Sequence, residues 1–137
     1  MKASAIIKEY STFLENNNIR YKNNKDDFYV FIELKNIKNC CIQLCLGDRH
    51  KILLTDYCGY CKNGIRNANR VLKAIVSEFP GYDIRLEHYG GGYEIEIYHE
   101  VSYKNAETLH KHVLEIAGII DESARIGFEM LKDEFER

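Results

Sequence analysis

The sequence of 137 residues has one proline, no tryptophan, almost no net charge and no apolar run approaching the ~20 residues that would span a bilayer. Each scarcity excludes something. One proline and nine glycines rule out collagen-like and proline-rich low-complexity chains. With 45% hydrophobic residues and a formal charge of only -2, the chain also lacks the composition of a disordered protein. The near-neutral balance provides no whole-molecule field to attract nucleic acid or an anionic membrane, so neither is expected as a partner. A chain of this length fits one domain, residues 1–137, with a core large enough to fold without staples.

The apolar start of the chain is interrupted by charge directly after Ile6 and Ile7, at Lys8 and Glu9. It therefore lacks the continuous apolar stretch of a secretory signal, and a cytoplasmic location is expected. Five cysteines, at 40, 41, 45, 58 and 61, make an odd number, which argues against a disulfide framework and for free thiols or a metal site.

Hydrophobic periodicity divides the chain into eight elements. Ile6, Ile7, Tyr10, Phe13 and Leu14 recur at helical spacing until Asn16-Asn17-Asn18. From Phe28 the period becomes two, with Phe28, Val30, Ile32 and Leu34 on one side and Tyr29, Phe31 and Glu33 on the other. A second strand carries Ile42, Leu44 and Leu46. Gly47-Asp48-Arg49 then reads as a hairpin turn into a third strand, from about Lys51 to Tyr57. A three-residue loop there sets Leu44 opposite Ile52 and Ile42 opposite Leu54. Cys58 to Cys61 reads as a loop, Asn63 as the N-cap of a second helix, and Ile65, Ala68, Leu72, Ile75 and Phe79 as its apolar face, ended by Pro80-Gly81. Two more strands, with Ile84 and Leu86, then Ile95 and Ile97, flank a turn at Gly90-Gly91-Gly92. A last helix runs from Asn105 almost to the end.

The expected fold is α+β: one antiparallel sheet of about five strands, apolar on one face, with helices on that face only, in the order α-β-β-β-α-β-β-α. The last helix, if unbroken, is about 46 Å long and overhangs a domain of roughly 37 Å. It should therefore bend at Gly118 or Gly127, or pack Ile119, Ile126 and Met130 on a second copy.

That element order, together with the apolar face of the helix from Asn63 to Phe79 and the Gly90-Gly91-Gly92 hairpin, resembles the class I type III secretion chaperone fold and the related YbjN-like domains. The resemblance implies a small, usually dimeric, non-catalytic domain that holds an extended segment of another protein. The cysteines are no part of it.

Residue chemistry yields few site candidates. Cys58 and Cys61 have the spacing with which two thiolates grip one zinc or form a redox disulfide. In the register above, Cys40 and Cys41 lie at the same end of the sheet, so either is a candidate third ligand. The competing expectation is that all five thiols only pack. Lys62 and the following helix N-terminus would lower a nearby thiol pKa, which keeps a redox role in view. His50 lies at the far end of the hairpin, His88 and His99 read as strand-end residues, and His110 and His112 point apart on their helix. Glu87, Glu94, Glu96 and Glu100 read as a solvated strand face, with Arg85 as their neutralising neighbour. No hydrolase elbow, zinc-protease motif or phosphate loop is present, so no catalysis and no cofactor are expected, with zinc as the alternative.

Two surfaces remain. Lys62, Arg66, Arg70 and Lys73 make a basic stripe on the second helix, either solvated or matched to an acidic partner segment. Ten tyrosines are many for this length, and several, including Tyr57 and Tyr89, take the polar parity of their strands. Tyrosine suits interfaces because it is amphipathic and loses little side-chain entropy. Tyr29, Phe31, Leu53 and Tyr98 on the outer sheet face are therefore the expected contacts of a partner polypeptide, in a protein expected to be a homodimer.

Overall fold

The structure, a computed structural model, describes residues 3–24, 27–46, 51–62 and 64–137. Helix α1 (Ala3–Asn16) leads into strands β1 (Tyr21–Asn23), β2 (Phe28–Ile32), β3 (Cys40–Leu46) and β4 (Lys51–Cys61). Helix α2 (Ile65–Glu78) is followed by β5 (Asp83–Tyr89), β6 (Gly92–Ser102) and helix α3 (Ala106–Leu131), then a short 3-10 turn and β7 (Phe135–Glu136). All pairings are antiparallel, in the order β1-β2-β3-β4-β6-β5, with β7 beside β4. The α+β class and the one-sheet architecture match expectation. Among the described residues the sheet has seven strands rather than about five. The two extra strands have three and two residues, too short for a period to register.

Ile6, Tyr10 and Leu14 point one side of α1 inward with no exposed surface, and the helix gives way to a left-handed residue at Asn18. On α2 the buried stripe is Ala68, Val71 and Ile75, whereas Ile65 is 53% exposed. The expected apolar face is therefore rotated toward Val71. The expected cap Asn63 and the expected turn Gly47-Asp48-Arg49, with His50, lie outside the described residues. Gly64 precedes α2 without a side-chain cap bond. At α3 the Asn105 side chain accepts from the Thr108 N–H at 2.9 Å while the Thr108 hydroxyl accepts from the Asn105 N–H at 3.1 Å. This reciprocal box satisfies two helix-end donors.

Leu44 faces Leu54 and Leu46 faces Ile52, so β3 and β4 pair two residues away from the expected register. A slip of two keeps every side chain on its face, and apolar still meets apolar. Inward, Phe28, Val30, Ile42, Leu44, Ile52, Leu54, Ile95 and Ile97 join the buried stripes of the three helices in one core. Tyr89 pairs with Gly92, which closes the β5-β6 hairpin at Gly90 and Gly91, with Gly90 at φ 60.

The last helix ends earlier than expected. The helix has 26 residues, or roughly 39 Å, and Lys132, at φ 46, turns the chain back toward the sheet. Ile119 is buried within the chain, while Ile126 and Met130 are half-buried and pack against the same core. Phe135 anchors the return. A Cβ on Gly59 or on Gly127 would come within 1.9 and 2.3 Å of its ring, so glycine on β4 and glycine on α3 together open the slot it fills. Phe128 closes the slot edge-on at 5.3 Å.

Candidate partner-binding face

The four expected contact residues all have outward parity and are half-buried. Tyr29 faces Gln43, Gln43 faces Thr55 and Thr55 faces Tyr98, so two tyrosines end one row crossing β2, β3, β4 and β6. At about 4.8 Å per strand that row is roughly 14 Å long. Phe31 sits beside Cys41 in the next row, and Leu53 lies between Cys45 and Glu100 on the other side. The sheet thus brings all four onto one surface.

Lateral contacts hold this face. The Arg20 guanidinium lies 4.3 Å from the Phe31 ring centre and that of Arg85 4.3 Å from the Tyr98 ring centre. The Tyr98 hydroxyl donates to Glu96. Arg85 pairs with Asp83 at 2.6 Å, faces Glu96 across the strands and also feels the charge of Glu87. Burial, and the proximity of Glu96, raise the Glu94 carboxyl above its ordinary range.

Sequence reasoning missed the corner where β7 joins. Arg137 contacts Asp56 at 2.6 Å, and both side chains are nearly inaccessible, at 5% and 6%. The guanidinium also lies 4.0 Å from the Tyr57 ring centre, and the Cys40 thiol is 3.5 Å from Asp56 Oδ2. Burial pushes the Asp56 carboxyl up to about 6, against the pull of Arg137. One signal was available: Asp56 shares the parity of Ile52 and Leu54, and a carboxylate at a core-facing position needs a buried partner. Tyr57, Tyr60, Tyr89, Glu94 and Arg137 line a cleft of about 390 Å³ here, which extends the aromatic character of the outward face.

The Cys58-Cys61 pair lies in β4 rather than in a loop. A bulge between Tyr57 and Gly59 absorbs one residue and lets pairing with β6 continue to Cys61. Cys40, Cys58 and Cys61 are fully buried, while Cys41 points to the opposite face from Cys40. Burial pushes Cys58 up to about 12 and Cys61 to about 11, the reverse of the activation expected from Lys62, which pairs instead with Glu136. Among the described residues no group of three or more His, Cys, Asp and Glu side chains is placed to hold a metal ion, so Cys40, Cys41, Cys58 and Cys61 do not assemble the expected site. The His88 ring lies tilted beside Tyr93 and the His99 ring tilted beside Tyr82, apart from each other. His110 Nδ1 lies 2.8 Å from the Tyr10 hydroxyl.

No helix among the described residues is long and apolar enough to cross a membrane. No protein-family model and no curated protein matches the sequence. Among solved structures, the chain is similar to the crystal structure of YbjN from E. coli, described there as a candidate transcription regulator, with a TM-score of 0.66 and 10% identity over 96% of this chain and 95% of that one. Of the two folds that the element order resembles, it is the YbjN-like one that this chain shares.

Proposed function

We propose that the chain is a non-catalytic, homodimeric binding module that holds an extended segment of another protein against the outward face of its sheet, with Tyr29, Phe31, Leu53 and Tyr98 in contact. One observation carries this reading: half-exposed aromatic and aliphatic side chains continue across neighbouring strands on a face whose opposite side takes the packing of all three helices. Such rings are already held by Arg20, Arg85 and Glu96, so a partner gains apolar contact without having to order them.

The test is a pair of variants, Phe31→Asp and Tyr98→Asp, each first checked for an unchanged thermal midpoint. Partners captured by the wild type are then titrated against both, and native mass spectra give the chain count. Loss of capture with the dimer intact is the expected result. If neither capture nor chain count changes, the face is wrongly assigned.

A further inference from the structure

The basic residues of α2 play no part in that reading and lie on a helix packed against the other side of the sheet. Lys62 leaves the stripe, because it precedes the helix and pairs with Glu136. Arg66, Arg70 and Lys73 remain, within an arc of about 60° at roughly 100° per residue. Ile65, Leu72 and Val76 occupy the adjoining arc. Leu72 is half-buried against the core, whereas Ile65 is 53% and Val76 39% exposed, because the helix packs mainly through Ala68, Val71 and Ile75. A shallow cleft of about 610 Å³ runs among Ile65, Arg66, Asn69, Arg70, Leu72 and Lys73.

Among the described residues none of the three cations has a carboxylate within ion-pair distance. Among the described residues Arg70 reaches only the Asn67 side chain, at 3.5 Å. The helix carries no acid before Glu78, so a protein of net charge -2 presents three uncompensated positive charges beside an apolar strip. Phosphate would neutralise the charges and leave the strip wet. An amphipathic helix with a carboxylate flank satisfies both, in the helix-on-groove manner.

We propose that this face of α2 docks an acidic amphipathic helix of another protein. Ile65 to Val76 spans about 16 Å, so the docked segment covers about three turns. Its apolar stripe lies on Ile65, Leu72 and Val76, and its carboxylates meet Arg66, Arg70 and Lys73.

The probe is a labelled synthetic peptide of about four turns with glutamates beside a leucine stripe, followed by fluorescence anisotropy against the full chain. The same peptide with lysines in place of the glutamates is the control. The glutamate peptide should bind, weaken with added salt and lose roughly tenfold or more in Kd against the variant Arg66→Glu/Arg70→Glu/Lys73→Glu. Arg70→Glu alone, exposed and mild, should lose part of the affinity if the triple variant does not fold. Phe31→Asp should bind as the wild type does, which separates this surface from the sheet face. The proposal is overturned if the glutamate peptide fails to bind or binds both charge variants equally. It is also overturned if duplex DNA or anionic vesicles bind α2 more tightly than the peptide, or if charge reversal changes the chain count of the protein alone, since a second copy then occupies the face.

Discussion

The two faces of the sheet are built from the same strands by simple alternation, and they are held in different ways. On β4, Ile52 and Leu54 are fully buried against the helices, while Leu53 and Thr55 between them stay half-exposed. Inward side chains touch residues far away in sequence, on α1, α2 and α3. Outward side chains are fixed by neighbours in the sheet: Arg85 over Tyr98, Tyr98 to Glu96, and Arg20, beside β1, over Phe31. Inward substitutions should therefore cost stability, and outward ones should cost contacts with whatever lies there.

The inward face is broken most severely at the slot between β4 and α3. Phe135 is nearly fully buried between Gly59 and Gly127. Phe135→Ala should remove about 3–5 kcal/mol of stability in urea unfolding, since neither glycine can fill the space left behind. Gly127→Val should be similarly damaging by overpacking, because the ring already stands 2.3 Å from where a Cβ would be. A loss below about 1 kcal/mol for both would mean that β7 contributes little and that the core ends at Leu131.

Much of this arrangement was legible in the chain. Alternation at Phe28 to Ile32, at Ile42 to Leu46 and at Ile95 to Ile97 identified the strands and their faces, because period two is directly visible wherever one side is buried. Those faces in turn placed Tyr29, Phe31, Leu53 and Tyr98 together. What stayed hidden depends on contacts remote in sequence. The bulge at Tyr57/Gly59 carries Cys58 and Cys61 into a strand that local turn residues suggested had ended. Asp56 and Arg137 meet across 81 positions, and Phe135 reveals its place only once Gly59 and Gly127 face each other. The rotation of α2, which exposes Ile65, depends on which side of the helix β5 and α3 press upon.

A smaller effect should separate the helical layer from the sheet by pH. Burial lowers the His110 pKa from its ordinary 6.5, and its Nδ1 lies 2.8 Å from the Tyr10 hydroxyl. Because the folded pKa lies below the unfolded one, the unfolded chain takes up the proton first, and stability falls as pH drops below about 6.5. Thermal unfolding of the wild type should therefore lose stability through that window relative to His110→Gln. Parallel pH profiles for the two proteins would place the titration elsewhere.

The smallest expected effect sharpens the comparison through the thiols, which sample both faces of one sheet. Cys41 and Cys45 have outward parity and are half-buried, whereas Cys40, Cys58 and Cys61 are fully buried. Cys41→Ser and Cys45→Ser should each change stability by no more than about 0.5 kcal/mol, because a half-exposed hydroxyl keeps its water. With a thiol reagent under native conditions, these two should react first and the other three only as fast as the chain opens. Mass spectrometry of partly modified protein reads that order directly. Five thiols reacting together would show that the inward face opens as readily as the outward one, and the distinction between the faces would then be one of average exposure rather than of stability.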